Sequence, residues 1–513
     1  MRTLCFLLTG IWTTLVVSQD SGLRVQTQQG EVLGSLVTPT VRQFLGIPYA
    51  VADRWEAPNI PPRREELFEA DRFGDSCIQM NSAANLEFLN LTGSPPPNVT
   101  ESENCMSVNV WSPSIDRKQR TAVMIWIYGG GFQFGTSNFP TYDGQFFVRD
   151  NDDVTLVTFN YRLNVFGQPH APQLVNSTTG VNFGLLDIDA AIQWVHDNIA
   201  NFGGDPERMV LFGQSAGSAA IDLYTIAHPD DERITGVIEQ SGSVSGGSQS
   251  GIGPNNSTNW NTLADAVGCG TNPDDAQLAC MKQVPGRALE DAVVNTNSNL
   301  GLVIDNITVF GDVASRVAAG NFLKVPLLVG STQHEEDIFV VAEELLQLSS
   351  FAQPLVTELS ADLLTYTGFT CSAGVAALVR MNASVPAWRY QYQAIFPDTT
   401  TRPDLRVWHG SELPIVFGTY NQSAEIAKTP EEIALSNYMQ SAWVAFARDP
   451  QNGLTDFGWP MYDPASDSLI QLGNFFNRSS GATFGRGDQL DFVCSKSDTL
   501  ATITALVNSL LSP

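Results

Sequence analysis

The sequence predicts an α/β fold in one large domain, with a mostly parallel, twisted central sheet flanked by helices. Apolar runs typical of buried strands, such as Met209–Phe212 and Val325–Val329, occur together with segments of helical apolar periodicity. These patterns continue through the 513 residues without a composition break, and the most polar loops resemble surface excursions rather than domain linkers. A glycine-flanked strand-to-helix turn, described below, is the third observation that favours this fold class.

The N-terminus predicts a secretory signal peptide. Arg2 precedes an apolar stretch, and Val16 and Ser18 give the small-residue pattern expected before a cleavage site. We therefore expect residues 1–18 to be removed and residues 19–513 to form the folded domain of a secreted, extracellular protein. A signal anchor is disfavoured because the apolar run is short and interrupted by threonines, and no later stretch looks able to span a bilayer. The C-terminal TLATITALVNSLL fits an amphipathic helix better than a lipid-anchor signal.

Cysteines and glycosylation motifs agree with an oxidising compartment. Loss of Cys5 with the signal peptide leaves an even set that could form three disulfides, namely Cys77, Cys105, Cys269, Cys280, Cys371 and Cys494. No pair has zinc-ligand spacing, and we expect neither a metal nor a cofactor. Asn-x-Ser/Thr motifs mark candidate glycosylation sites at Asn90, Asn98, Asn176, Asn255, Asn256, Asn306, Asn382, Asn421 and Asn477.

The formal net charge of -27 disfavours binding to nucleic acid or to anionic membranes, because both require cationic patches. We expect no nucleic-acid partner and no stable membrane association. The composition suits a soluble secreted protein that acts on a small molecule. It carries no signal for an oligomeric state.

The stretch VLFGQSAGS contains a candidate nucleophile, Ser215. Gly213 and Gly217 flank it at the spacing of a strained strand-to-helix turn, which raises a serine hydroxyl above a sheet. A glycine-rich bend with a solvated serine gives the same pattern, so the flanking sequence must decide. A Gly-Gly-Asp-Pro stop and an apolar strand precede the turn, after a predicted helix whose apolar face contains Leu186, Ala190, Trp194 and Ile199.

A glycine triplet upstream could stabilise an oxyanion. The apolar strand of TAVMIWIYGGGFQFG ends in Gly129–Gly131, and glycine lets backbone N–H groups approach the oxygen on which acyl transfer develops charge. Gly130, Gly131 and Ala216 are the candidate donors. A tightly packed buried turn is the alternative interpretation.

His409 is the candidate base among five histidines. In this fold the chain order is nucleophile, acid and then histidine, which excludes His170 and His196. His228 follows the helix after the Ser215 turn too closely to leave room for the strand that carries the acid. His334 lies beside an acidic pair in a predicted loop. A buried structural imidazole is the alternative for His409.

The acid should follow a strand between Ser215 and His409. The predicted strand Val325–Val329 leads into a loop that carries three acidic residues, Glu335, Glu336 and Asp337. Each of them could also be ordinary surface charge. The residues alone do not choose among the three.

Together these segments resemble the type-B carboxylesterase family of α/β-hydrolases, which includes carboxylesterases, fungal lipases and cholinesterases. The resemblance covers almost all of the mature chain. It is carried, in family order, by FLGIPYA, SENCMSVNVWSP, IWIYGGGFQFG, NYRLNVFG, GLLDIDAAIQWVHDNIANFGGDPERMVLFGQSAGS, IEQSGS, VPLLVGSTQHEEDIF and WHGSELPIVFG. It implies an α/β-hydrolase fold and a carboxylic-ester hydrolase that forms an acyl-enzyme on Ser215.

The resemblance also assigns positions that the residues leave open. The acid of the family lies five residues after the glycine at the strand end, and this count from Gly330 reaches Glu335. Ser241 matches a serine that in the family lies beside the catalytic triad of nucleophile, acid and histidine. The resemblance implies ion pairs Arg54–Glu103 and Arg162–Asp187, and disulfides Cys77–Cys105, Cys269–Cys280 and Cys371–Cys494.

Two departures from the family pattern bear on substrate choice and on the acid. Gln214 stands where choline-hydrolysing members carry Glu, which disfavours a choline substrate, and Glu336 replaces the usual Gly after the acid. We expect an esterase of dissolved short to medium acyl esters or aryl esters. An interfacial triacylglycerol lipase is one alternative, although the polar second half of the 77–105 loop opposes adsorption to oil. A catalytically inactive adhesion or binding protein is another alternative. It is disfavoured because such family members lose a residue of the catalytic triad.

Overall fold

The computed structural model describes residues 22–93, 100–117, 119–175, 178–245, 251–298, 300–346, 354–400, 402–422, 427–474 and 481–494. The predicted signal peptide and the predicted C-terminal helix lie outside these residues.

Eleven strands of the described chain form one central sheet. In chain order they are β1 (Ser35–Thr38), β2 (Val41–Pro48), β3 (Ser107–Pro113), β4 (Thr121–Ile127), β5 (Val154–Phe159), β6 (Gly204–Gln214), β7 (Ile234–Gln240), β8 (Leu327–Thr332), β9 (Ala387–Tyr392), β10 (Asp467–Leu472) and β11 (Ala482–Arg486). Their order across the sheet is β11-β10-β9-β8-β7-β6-β4-β5-β3-β2-β1. Strands β4 to β10 are parallel, and the strands at both edges pair antiparallel. The mostly parallel sheet confirms the predicted fold class.

The described α-helices are α1 (Ala83–Leu91), α2 (Gln145–Asp150), α3 (Asn164–Gly167), α4 (Phe183–Phe202), α5 (Ala216–Ala227), α6 (Ser257–Ala266), α7 (Asp275–Gln283), α8 (Gly286–Asn295), α9 (Val313–Ala318), α10 (Asp337–Leu345), α11 (Pro354–Thr365), α12 (Cys371–Asn382), α13 (Leu413–Phe417), α14 (Pro430–Arg448), α15 (Gly453–Asp456) and α16 (Gly487–Leu490). A π-helix, Tyr366–Thr370, joins α11 to α12. Short 3-10 turns span Pro140–Tyr142, Pro172–Leu174, Pro403–Leu405 and Thr419–Gln422. Helices α4 and α5 pack on β6, α12 packs on β8 and β9, and α14 packs on β4 to β6.

In the described part of the chain, three small sheets accompany the central one. The first contains Arg24–Thr27, Gly30–Leu33 and Phe68–Glu69. The second pairs Ser76–Cys77 with Glu101–Ser102, and the third pairs Ile252–Gly253 with Leu302–Val303.

The hydrophobic core lies directly beneath the predicted strand-to-helix turn at Ser215. Every residue of β4 is buried, as expected for a parallel strand that is covered on both faces. The Trp126 ring lies 4.8 Å from the Phe212 ring and 5.0 Å from the Phe417 ring, measured between centroids. Since Phe212 precedes Ser215 by three residues, this aromatic packing supports the turn that carries Ser215.

The apolar face of α4 differs from the prediction. Trp194 and Ile199 are buried, but Leu186 and Ala190 are only half-buried at the margin of the helix. The buried face instead includes Asp187, whose carboxylate pairs with Arg162 at 2.7 Å. Hydrophobicity alone could not place a carboxylate on the sheet-facing side, because its burial depends on this distant arginine.

Strand β8 ends later than the predicted strand. It reaches Thr332 rather than Val329, and α10 already begins at Asp337. The predicted acidic loop is therefore a tight turn. Glu335 lies within that turn, between the end of the strand and the start of the helix.

The three disulfides implied by the family resemblance are all formed: Cys77–Cys105, Cys269–Cys280 and Cys371–Cys494. Both implied ion pairs are formed as well. Arg54 Nε donates to Glu103 at 2.7 Å, and Arg162 Nε donates to Asp187 at 2.8 Å. The second pair is buried on both sides and fixes α4 to the segment after β5.

One helical run, Glu358–Asn382, is long and apolar enough to cross a membrane by length and composition alone. We expected no such stretch within the domain. Buried helices of globular proteins meet the same criterion, and here α12 packs on β8 and β9. The disulfide from Cys371 joins the start of α12 to the end of the described chain.

Candidate functional site

Ser215 lies at the junction of β6 and α5 with φ 56° and ψ −125°, a conformation that L-residues rarely adopt. The flanking glycines are required because the end of β4, at Ile127, passes very close to this turn. A Cβ at Gly217 would lie 2.0 Å from the Ile127 carbonyl oxygen, and one at Gly213 would lie 2.7 Å from the same atom. The predicted strained turn between strand and helix is therefore present, and Ser215 remains half-exposed at its tip.

His409 and Glu335 are joined by a short hydrogen bond, with 2.6 Å between His409 Nδ1 and Glu335 Oε2. The other carboxylate oxygen accepts the backbone N–H of Thr332 at 2.7 Å. Both side chains are buried. An ionised Glu335 thus favours the tautomer with the proton on Nδ1, which leaves Nε2 able to accept a proton.

The other imidazole nitrogen of His409, Nε2, is buried and has no hydrogen-bond partner among the described residues. His409 and Ser215 line the same cavity. The rings of Phe339 and Phe369 lie 5.2 and 4.9 Å from the His409 ring and restrict its orientation. This arrangement can remove a proton from a hydroxyl group in the cavity.

Of the three acidic candidates, Glu335 is the one hydrogen-bonded to His409. Asp337 forms a two-pronged ion pair with Arg406, with N–O distances of 2.6 and 2.5 Å. Glu336 occupies the N-cap position of α10 without a side-chain capping hydrogen bond, and burial raises the pKa of its carboxyl to about 7. The position assigned by counting from Gly330 is thus the one that reaches the imidazole.

Two of the candidate oxyanion donors, Gly130 and Gly131, line the same cavity, and the third, Ala216, directly follows Ser215. Gly130 has φ +110°, and a Cβ there would lie 2.0 Å from the Phe134 carbonyl oxygen. Gly131 has φ +62° with open space around it, so its backbone conformation rather than crowding favours glycine. Among the described residues, the N–H groups of Gly130, Gly131 and Ala216 donate to no backbone carbonyl. These groups are available to an oxygen in the cavity.

Ser241 is buried after β7 with φ 54°, and its N–H donates to the Gly330 carbonyl at 2.8 Å. Its hydroxyl has no hydrogen-bond partner in the described part of the chain. Ser241 therefore lies at the carboxyl end of β7 without a hydrogen bond to the triad candidates, and its place beside the triad stays a prediction.

Glu412 is a buried carboxyl that the sequence analysis missed. It lies three residues after His409 and accepts a hydrogen bond from Gln240 Nε2 at 3.1 Å. Burial, and secondarily the charge of Glu335, raise the pKa of Glu412 to about 7. A glutamate directly before the apolar segment LPIVF was the available signal, because an acidic residue on a buried segment needs a partner.

The raised pKa of Glu412 makes folding stability depend on pH. Between about pH 4.5 and 7 the unfolded chain releases a proton that the folded chain retains, so the free energy of unfolding falls as pH rises. Glu412→Gln keeps an acceptor for Gln240 but has no titrating carboxyl. We therefore expect the free energy of unfolding of the variant to fall less between pH 4.5 and 8 than that of wild type, by on the order of 3 kcal/mol. Urea unfolding of both proteins at pH 4.5, 6 and 8 measures it. Parallel curves for wild type and variant would contradict the assignment.

The cavity above Ser215 has a volume of about 210 Å³ and mostly apolar walls. Its lining includes the aromatic residues Phe88, Phe134, Phe139, Tyr142, Phe339 and Trp408. Phe88 belongs to α1, inside the loop that the Cys77–Cys105 disulfide closes. Its ring stacks on Phe339 at 5.4 Å and meets Phe134 edge-on at 5.7 Å. Helix α1 thus forms one wall of the cavity.

The histidines excluded by chain order lie elsewhere. His170 uses both ring nitrogens, with Nε2 2.7 Å from the Gly301 carbonyl and Nδ1 accepting the Asn256 N–H at 2.8 Å. In the described ranges no group of three His, Cys, Asp or Glu side chains is arranged to hold a metal ion.

The candidate glycosylation sites differ in accessibility. Asn90, Asn256, Asn306 and Asn382 are exposed. Both polar atoms of the Asn255 amide are buried, so in this conformation the nitrogen is not accessible for attachment of a glycan. Asn98, Asn176 and Asn477 lie outside the described residues, as does the side chain of Asn421.

A family model described as the carboxylesterase family matches residues 21–359 and 347–486 of this chain. Secreted lipase 5 of Gibberella zeae is 30% identical over 478 residues, covering 85% of this chain and 86% of the lipase. Chlorogenic acid esterase of Aspergillus niger is 30% identical over 485 residues, covering 88% of this chain and 91% of that protein. Most of the chain thus matches proteins that are named for ester hydrolysis.

A solved structure of PNB esterase has the same fold. It superposes with a TM-score of 0.73 at 26% sequence identity, and the match covers 94% of this chain and 100% of that chain. The fold is therefore shared over most of this chain.

Proposed function

The chain belongs to the carboxylesterase family and is a carboxylic-ester hydrolase, and on that premise we propose that Ser215, His409 and Glu335 form its catalytic triad. The observation that carries the proposal is the 2.6 Å bond between His409 Nδ1 and Glu335, beside a cavity that also contains the strained Ser215. The free Nε2 of His409 is the atom that the proposed base requires.

In the proposed mechanism, His409 Nε2 takes the hydroxyl proton of Ser215 while the serine oxygen attacks the ester carbonyl carbon. The carbonyl π electrons move to its oxygen, which is stabilised by the N–H groups of Gly130, Gly131 and Ala216. Glu335 holds the tautomer and stabilises the imidazolium. When the carbon–alkoxy bond breaks, the imidazolium gives its proton to the leaving oxygen, and the alcohol departs.

The acyl-enzyme is then hydrolysed through the same groups. His409 removes a proton from water as the water oxygen attacks the acyl carbon. Collapse of the second tetrahedral intermediate breaks the bond to Ser215, which regains its proton from His409. The carboxylic acid leaves, and no cofactor takes part in these steps.

We propose short to medium acyl esters and aryl esters as substrates. The cavity of about 210 Å³ with its aromatic lining suits flat or compact apolar groups. The name of the Aspergillus niger relative, chlorogenic acid esterase, supports the inclusion of aryl esters.

Covalent labelling tests the proposed nucleophile. A fluorophosphonate probe should modify Ser215 stoichiometrically, and peptide mapping should locate the adduct on the peptide that contains GQSAG. Prior incubation with a slowly deacylating ester should block the label. Absence of labelling in the folded protein would favour a silent binding protein instead.

An interfacial lipase is the second candidate function. It is favoured by the name of the relative secreted lipase 5 and by α1, which carries Leu89 in the cavity wall and the 42% exposed Leu86. Lid helices of interfacial enzymes use such residues to contact lipid.

We expect no jump in rate when a triglyceride passes its solubility limit. Phe88 and Leu89 already line the cavity, and the exposed Asn90 beside them would carry a glycan that opposes contact with oil. Hydrolysis of tributyrin across its saturation point measures the effect, with p-nitrophenyl butyrate as the soluble control. A sharp rise above saturation would assign the protein to the lipases.

We also propose that the protein is secreted. The three disulfides are typical of an oxidising compartment, and a curated relative is named as secreted. N-terminal sequencing of the protein from culture medium should begin after Ser18. Retention of the whole protein inside the cell would contradict this proposal.

A further inference from the structure

Gln214, in the wall of the cavity, carries an amide whose nitrogen has no partner among the described residues. The residue directly precedes Ser215, is 5% exposed, and lines the cavity. Its Nε2 atom is buried and has no hydrogen-bond partner among the described residues. A buried N–H donor without an acceptor is costly, so this amide is set up to meet an acceptor that arrives with a ligand.

The amide lies on the His409 side of the nucleophile. A Cβ built at Gly410 would lie 3.6 Å from Gln214 Nε2, whereas one built at Gly129 would lie 3.0 Å from Gln214 Oε1. The nitrogen therefore points toward the segment that carries His409. In the proposed reaction His409 protonates the leaving oxygen, so this part of the cavity receives the alcohol portion of the ester.

The chemistry of the surrounding wall selects an uncharged group. Among the described residues, none that lines the cavity is Asp, Glu, Lys or Arg. Leu413, Pro414 and Trp408 extend the wall beyond His409 with apolar and aromatic surface. A cationic alcohol would find no counter-charge here, and an anionic one would be desolvated without a cation.

We infer that Gln214 is a specificity-determining residue that donates a hydrogen bond to an uncharged oxygen of the leaving alcohol. The favoured substrates are esters of compact, neutral alcohols that carry an ether, carbonyl or hydroxyl oxygen. This inference rests on the proposed function, because it uses His409 to define the leaving-group side. It goes further by naming the alcohol class and the atom that recognises it.

Matched esters isolate this hydrogen bond. Cyclohexyl acetate, oxan-4-yl acetate and oxan-3-yl acetate share one acyl group and one ring shape, and differ by a single ring oxygen. We expect wild type to prefer at least one oxanyl ester over cyclohexyl acetate in kcat/KM, by about tenfold. In Gln214→Met, which keeps length but has no N–H, this ratio should fall to about one.

Two controls separate the bond from cavity shape and from the acyl side. Phe88→Leu reshapes the wall formed by α1 but keeps the Gln214 amide, so it should change kcat/KM for all three acetates together and leave their ratio intact. Ethyl cyclohexanecarboxylate and ethyl oxane-4-carboxylate place the same rings on the acyl side, where Gln214→Met should not alter the ratio. A ratio change only in this acyl pair would overturn the assignment to the alcohol.

The failure of this inference differs from failure of the proposed function. If wild type hydrolyses p-nitrophenyl acetate and Ser215 is labelled, yet Gln214→Met keeps the oxanyl preference, the role of Gln214 is wrong. The same holds if wild type shows no oxanyl preference. If wild type hydrolyses none of the esters and Ser215 is not labelled, the triad itself is wrong. Circular dichroism of Gln214→Met and Phe88→Leu confirms that both variants are folded.

Discussion

Ser215→Ala is expected to lower kcat for p-nitrophenyl acetate by about 10⁴-fold or more. The alanine lacks the oxygen that attacks the carbonyl carbon, and water placed by chance at that point would lack the geometry of the elbow. The Cβ is retained, so the packing of Gly129 against residue 215 is unchanged. Initial rates of purified wild type and variant measure the loss.

The thermal midpoint and near-UV spectrum of Ser215→Ala should match those of wild type. A neighbouring substitution, Ser218→Ala, is a matched control, because Ser218 lies on α5 and donates to the Gly242 carbonyl rather than lining the cavity. Turnover like that of wild type in folded Ser215→Ala would disprove the nucleophile.

The second large effect concerns two adjacent glutamates. Glu335→Gln is expected to lower kcat by on the order of 10³-fold to 10⁴-fold, because the amide can stabilise the wrong imidazole tautomer and cannot balance the imidazolium charge. Glu336→Gln should leave kcat at pH 8 little changed, because Glu335 makes the hydrogen bond to His409 and Glu336 only occupies the N-cap position of α10. The matched pair differs only in position.

Single-turnover kinetics with p-nitrophenyl acetate distinguish the two variants. In Glu335→Gln both acylation and deacylation should slow, since His409 serves as base in each step. A damaging Glu336→Gln beside an active Glu335→Gln would mean that the acid is misassigned.

The elbow was predictable from the sequence because its causes are local. Gly213 and Gly217 are needed where Ile127 crosses the turn, and both glycines are visible within five residues of each other. The parallel sheet was likewise visible in continuous apolar runs such as β4. The disulfide pairing, in contrast, came from the family resemblance and not from the spacing of the cysteines.

Other features depend on contacts between distant segments. The choice of Glu335 over Glu336 follows from where β8 ends, which the apolar run placed three residues too early. Glu412 escaped notice because its partner, Gln240, lies 172 residues away. The unpaired amide of Gln214 is invisible in sequence, since an unsatisfied donor can be recognised only when all its neighbours are known.

The loop between Cys77 and Cys105 is closed at its base by a disulfide, so its sequence can vary largely independently of the central sheet. Its two anchoring Cα atoms are only 4.9 Å apart, so a segment of another length could be grafted between the same cysteines without moving the sheet. Doubling the length of such a loop adds only about 0.6 kcal/mol of closure entropy. Because α1 in this loop supplies one wall of the cavity, while Ser215 and His409 come from elsewhere, the choice of ester can diversify while the reaction chemistry is inherited unchanged.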